Sequence, residues 1–135
     1  MAGAPQPGEP IGELRVTPDK YLPHRYAGAS GDFNPIHIDN DFAQAVGLPR
    51  NILHGLYSMA LVARGCAALA GGDPRALRRL SVQFRGMGVP EQEIVVSGKV
   101  REVDGHRIAV EVIAEQSGNA IIRNAEAELE LPDRD

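Results

Sequence analysis

The spacing of apolar residues changes near residue 74. Between Leu56 and Ala70 only Ser58, Arg64 and Gly65 interrupt a run of Tyr57, Met59, Ala60, Leu61, Val62, Ala63, Cys66, Ala67, Ala68, Leu69 and Ala70. A helix apolar nearly all round is normally buried on most sides. At 1.5 Å per residue this one spans about 22 Å, short of a bilayer core and suited to the centre of a domain. After Gly71-Gly72-Asp73-Pro74 the period becomes two. Leu80, Val82 and Phe84 alternate with Arg79, Ser81, Gln83 and Arg85, which predicts a half-buried strand. Ile94, Val96 and Val100 begin the next strand, which Asp104-Gly105 turns into Ile108, Val110, Val112 and Ala114. Ser117-Gly118-Asn119 makes a further turn before a last strand with Ala125, Ala127, Leu129 and Leu131. Connections this short imply antiparallel pairing. One buried helix followed by an antiparallel meander is an α+β layer fold.

The amino-terminal part is more punctuated. Residues 1–10 read as a flexible leader, because Gly and Pro there prevent a regular element. The leader lacks the basic and apolar segments of a signal peptide. A single domain is expected over 11–135. Ile11 to Val16 predicts a short strand. Thr17 as N-cap and Pro18 at the first helical position predict a helix start. Tyr21 to Ala29 then reads as a helix that Pro23 limits or restarts. Gly28 to Pro35 reads as loop, and Asp39 or Asn40 caps a short helix over Asp41 to Val46, closed by Gly47 and Pro49.

Composition narrows the function classes. The 135 residues make one ordinary domain, and 43% hydrophobic content is too high for a disordered chain. Aromatic residues are only 4% with no Trp, so Val, Ile, Leu and Ala must fill the core. A net charge of −4 argues against a general nucleic-acid binder. The one cysteine, Cys66, excludes an internal disulfide, suits a reducing cytoplasm, and reads as a small core residue on its apolar helix. No stretch approaches the length of a membrane span.

Chemistry-bearing residues concentrate between Tyr26 and His37. Asp32 and His37 lie five positions apart, and Pro35 between them prevents a continuous helix, so the loop is able to turn both side chains toward one point. A carboxylate and an imidazole that converge hold one water between them and exchange its protons. Asn34 would orient the pair or close an Asx-turn. The plainer alternative is that Asp32 caps a turn and His37 packs beside it. His24 and His106 stand next to Arg25 and Arg107 and read as surface residues. The four histidines lack metal-ligand spacing, so neither metal nor cofactor is expected.

The run Ser30-Gly31-Asp32-Phe33-Asn34-Pro35-Ile36-His37 closely resembles the signature of the MaoC-like, (R)-specific enoyl-CoA hydratases, and Tyr26-Ala27 and Ala43 fit it too. Leu53-His54-Gly55-Leu56 stands where that family has its His-Gly pair before the long helix. The resemblance implies a hotdog fold, an antiparallel sheet wrapped around one central helix. It also implies reversible hydration of trans-2-enoyl thioesters to (R)-3-hydroxyacyl thioesters, with Asp32 and His37 as the catalytic pair. Hydration makes the thioester oxygen enolate-like and calls for a donor aimed at that charge. Gly55, at the positive amino end of the helix, is expected to give its N–H to that oxygen; the alternative is a plain glycine at a helix start. His54 is expected to shape that helix start.

The resemblance has departures. Ala63 replaces a family serine, and Ser58 is poorly placed to substitute for it. Phe84 to Pro90 departs from the usual loop, and Pro23 makes the preceding helix less regular. The implied partners are an acyl-CoA or acyl carrier protein thioester and a second copy of the chain, since hotdog protomers usually pair, with the acyl tunnel along the interface. Neither nucleic acid nor membrane is an implied partner. Arg75, Arg78, Arg79 and Arg85 form a basic cluster that suits a nucleotide or phosphopantetheine, or simply guards a strand edge. Two other readings remain: a hotdog thioesterase, disfavoured because the long helix carries no carboxylate, and a non-catalytic subunit of a heterodimer.

Overall fold

The computed structural model describes residues 5–132. In chain order the elements are β1 (Leu14–Val16), α1 (Leu22–Ser30), α2 (Pro35–Ile38), α3 (Asn40–Ala45), α4 (Gly55–Ala67), β2 (Leu77–Phe84), β3 (Ile94–Asp104), β4 (Arg107–Gln116) and β5 (Asn119–Glu130). Two single 3-10 turns, Ala68–Ala70 and Pro74–Ala76, join α4 to β2. The strands form one antiparallel sheet in the order β1-β3-β4-β5-β2. The fold is the α+β arrangement expected, with α4 against the sheet.

Alternation explains the core. Ile94, Val96 and Val100 of β3 and Ile108, Val110, Val112 and Ala114 of β4 are buried together with Leu61, Val62 and Cys66 of α4. The β4–β5 connection is a two-residue turn, Ser117-Gly118, with positive φ at both residues (53° and 77°). That mirror-image turn matches the right-handed twist of the strands it joins. Gly98 on β3 is there for space: a Cβ would lie 2.2 Å from the Glu111 carbonyl oxygen on β4.

Several expectations are corrected. Helix α1 begins at Leu22, not at Thr17. Asp19 takes the Tyr21 N–H on its side chain and the Leu22 N–H on its carbonyl, making a turn where a helix was expected. Pro23 falls in the first turn of α1, where a missing N–H costs nothing. Gly28 to Ser30 complete that helix. Pro35 opens a four-residue helix instead of belonging to loop. The helix α4 is buried on one face only: Ser58, Leu61, Val62, Gly65 and Cys66 are buried, while Leu56, Ala60 and Arg64 are exposed. A five-stranded sheet curls around one side of a helix and leaves the other open. Its last expected turn, from Ala68, tightens to 3-10 geometry.

The final strand starts at Asn119, well before Ala125. Register shifts break its alternation and bury Ile121 and Ile122 in succession. Phe84, assigned to the buried side of β2, is 52% exposed. Part of the expected leader is held on the sheet. Gly8 donates to the Val100 carbonyl (2.7 Å), the Val100 N–H to Glu9 (2.8 Å), and Pro10 bridges to Lys99. Residues 1–4 of that leader lie outside the described residues.

Candidate active site

The loop after α1 is built by short-range hydrogen bonds that its own sequence supplies. Gly31 ends α1 at φ 78°, a left-handed conformation that glycine adopts without strain. The Ser30 hydroxyl donates to the Tyr26 carbonyl (2.8 Å) and accepts the Asp32 N–H (3.2 Å). Asp32 Oδ1 accepts the Asn34 N–H (3.2 Å), and Asn34 Oδ1 accepts the Ile36 N–H (3.2 Å). Asn34 is thus the N-cap of α2, the Asx-turn role weighed for it. This chain of turns leaves Asp32 Oδ2 free to face His37 Nε2, 3.8 Å away. Asp32 is exposed while His37 is buried, so the pair straddles the protein surface.

The state of His37 follows from its other nitrogen. Nδ1 lies 2.8 Å from the Ile52 carbonyl, which only accepts, so Nδ1 carries the proton of the neutral ring. Nε2 therefore presents a lone pair toward Asp32. At 3.8 Å the two acceptors are beyond direct hydrogen bonding, and a water between them can donate to both. Asn51, absent from the sequence expectations, completes the mount. Its side-chain amide donates to the His37 carbonyl (2.9 Å), and its N–H goes to Asn40 Oδ1 (3.2 Å). The only sequence signal for it was a polar residue just ahead of the apolar Ile52-Leu53.

His54 lies deeper. Its Nε2 is 3.0 Å from the Asp32 main-chain carbonyl, so Nε2 is the protonated nitrogen. Its ring stacks on that of His37, centroids 3.9 Å apart and planes 22° from parallel, and meets the Tyr26 ring at 4.7 Å. His54 Nδ1 is buried with no hydrogen-bond partner among the described residues. An orphaned buried polar group costs about 1–3 kcal/mol. Tyr57, edge-on to Tyr26, closes the ring cluster, and burial pushes its hydroxyl above the ordinary tyrosine range.

His54 is also the N-cap residue of α4 but gives it no side-chain hydrogen bond. The Tyr57 and Ser58 N–H groups turn back to the His54 carbonyl (3.1 and 3.5 Å). The Gly55 and Leu56 N–H groups have no partner among the described residues, at the end where the helix dipole is positive. The Phe84 ring lies beside exposed Gly55: a Cβ there would lie 3.2 Å from Cε1 of Phe84.

Asp32, His37 and His54 offer donor atoms within 4.8 Å of one another. The ring geometry does not favour a shared metal ion. Lone pairs in the planes of two stacked imidazoles run side by side instead of converging on one point. Ala63 lines a cavity of about 660 Å³ with Ile11, Leu14, Ala60, Ala67 and Leu77. Ser58 is buried on α4. The expected basic cluster is partly occupied, since Arg75 pairs with Asp73 (3.0 Å) and Arg85 donates to Gln83 (2.6 Å). Exposed His24 bonds the Ile38 carbonyl (3.1 Å), and His106 is exposed in the β3–β4 turn. Among the described residues no helix is long and apolar enough to cross a membrane.

Comparison with known proteins gives the chain's family and fold relatives. Residues 4–120 match the profile of the MaoC like domain family. The fatty acid synthase beta subunit pigK of Monascus ruber is 37% identical over 109 residues, which are 79% of this chain and 5% of that subunit. The enoyl-CoA hydratase ChsH3 of Mycobacterium tuberculosis is 32% identical over 110 residues, 81% of this chain and 36% of that enzyme. The chain therefore spans only a small part of these relatives' length. Among solved structures, a MaoC-like dehydratase superposes with a TM-score of 0.88 at 29% identity, over 94% of this chain and 41% of that one. The (R)-hydratase from A. caviae shares the fold at 21% identity, with a TM-score of 0.82 over 97% of this chain and all of its own. With a family match over most of its length, the chain belongs to the MaoC-like domain family.

Proposed function

We propose that the protein is a hydro-lyase that adds water reversibly across the double bond of a trans-2-enoyl thioester, giving the (R)-3-hydroxyacyl thioester. One observation carries the reading: Asp32 Oδ2 lies 3.8 Å from His37 Nε2, the nitrogen that the Nδ1–Ile52 bond leaves for proton exchange. A water held there gives a proton to His37 Nε2 as its oxygen bonds to C3. Electrons of the double bond shift onto the thioester oxygen, and the Gly55 N–H meets the charge that develops. The protonated pair returns a proton to C2, so the elements of one water are added and no redox step occurs. No cofactor takes part. Asn34 and Asn51 hold the loop and the His37 backbone in place.

The substrate reading, a thioester of coenzyme A or of an acyl carrier protein, draws on relatives named as enoyl-CoA hydratases and fatty acid synthase subunits. The working unit in this reading is a homodimer, supported by exposed Phe33, Leu56, Phe84 and Met87 and by β2 at the sheet edge. We place it in the cytoplasm on its single buried thiol, Cys66.

The test is direct. Purified protein mixed with crotonyl-CoA bleaches the enoyl absorbance, chiral analysis of the product gives the (R) alcohol, and Asp32→Asn and His37→Ala each lower turnover by about 100-fold or more. Near-normal turnover in both variants overturns the mechanism. Release of free thiol without loss of the double bond would make the protein a thioesterase instead.

A further inference from the structure

The rings of His37 and His54 lie face to face and are held by opposite nitrogens. His37 uses Nδ1–H on the Ile52 carbonyl, and His54 uses Nε2–H on the Asp32 carbonyl. His54 therefore touches both members of the proposed reacting pair, one through its plane and the other through its edge. Its own reach to a ligand is limited, because the residue is only 2% exposed. The Tyr26 ring also contacts His54, at 4.7 Å and tilted by 45°, so two rings pack against it.

We propose that His54 is the positioning residue of the Asp32–His37 pair, setting the separation of carboxylate and imidazole by bonding the Asp32 backbone while stacking on His37. The inference rests on the reading of Asp32 and His37 as the reacting groups. It explains why a buried histidine is kept with Nδ1 unpartnered. Turning the ring to satisfy Nδ1 would withdraw Nε2 from Asp32. The bond also spans 22 positions of sequence, tying the loop after α1 directly to the start of α4, where Gly55 lies. One side chain thus links the pair to the proposed oxyanion donor.

Two substitutions separate its two contacts. His54→Phe keeps a flat ring and removes the donor; His54→Gln offers an amide N–H toward Asp32 and removes the ring. In crotonyl-CoA hydration, His54→Phe is expected to lower kcat by roughly 10–100-fold with KM little changed, as expected for misplaced reacting groups. His54→Gln is expected to recover part of that loss. A structural role alone would lower thermal stability in both variants and leave kcat per folded molecule unchanged. A long-range proton–nitrogen spectrum of the full chain gives a readout independent of turnover. It should show His37 as the Nδ1–H tautomer and His54 as the Nε2–H tautomer. A wild-type kcat in folded His54→Phe, or His54 found as the Nδ1–H tautomer, overturns the inference. If the wild-type protein fails to hydrate crotonyl-CoA, the proposed reaction falls, and the spectrum still decides whether His54 holds the Asp32 loop.

Discussion

A methyl group added at Gly55 would lie 3.2 Å from Cε1 of Phe84, a contact that the half-exposed ring relieves by turning. Alanine is also the better helix former, by roughly 0.5–1 kcal/mol in a helix interior and less at its first residue. Gly55→Ala is therefore expected to melt at or slightly above the wild-type temperature in a calorimetric scan. Under the proposed oxyanion role its turnover of crotonyl-CoA should nevertheless fall by about tenfold or more, because a side chain at residue 55 crowds the N–H proposed to meet the thioester oxygen. Full activity in this variant would remove the oxyanion role. Asn51 separates the two effects differently. Asn51→Ala takes the donor from the His37 carbonyl and is expected to cost about 1–3 kcal/mol in urea unfolding, because the carbonyl loses a buried partner. Both residues are ordinary as letters, and their meaning comes from what the folded chain sets against them.

Elements as short as α2 survive only with their caps. Four residues make no stable helix by themselves, and Asn34 supplies the acceptor for its first free N–H. Asn34→Ala is expected to lose about 1 kcal/mol in denaturant unfolding, and Asn34→Asp to retain most of it. The helix α4 carries a second test. Burial pushes the Cys66 thiol up to about 11, above its ordinary value of 9.0. The folded state thus disfavours the thiolate, so the resulting stability is present below pH 9 and is lost as pH rises toward 11. Iodoacetamide at neutral pH should label Cys66 only when the protein unfolds; rapid labelling of the folded chain would contradict the packing of α4 on the sheet. This apolar helix was plain in the sequence. Which side it left open was not, because a run apolar on all sides holds no record of where the sheet stops.

For the whole molecule, the open side of α4 and the free edge of β2 lie among exposed apolar residues, with Leu56 at 62% and Phe84 at 52%. An unpaired edge bordered by apolar surface favours pairing with another chain. Light scattering is expected to give the mass of two chains, and Phe84→Lys to shift the protein toward monomer. A wild-type monomer would remove the dimer from the proposed working unit.

The long apolar helix, the four strands after it, the tight β4–β5 turn and an Asx-turn role for Asn34 could be read from the sequence by itself, because each depends on residues a few positions apart; helix α2 could not. The two landmarks that pointed to Asp32, His37 and Gly55 could also be read there. The register of β5 escaped, since its shifts bury Ile121 and Ile122 in succession and erase the period. The Ile52, Asn51 and His54 contacts also escaped, at separations of 15, 14 and 22 residues. Contacts at that range depend on the path by which the chain returns, and only the packing of the loop against the start of α4 chose which carbonyl each imidazole would hold.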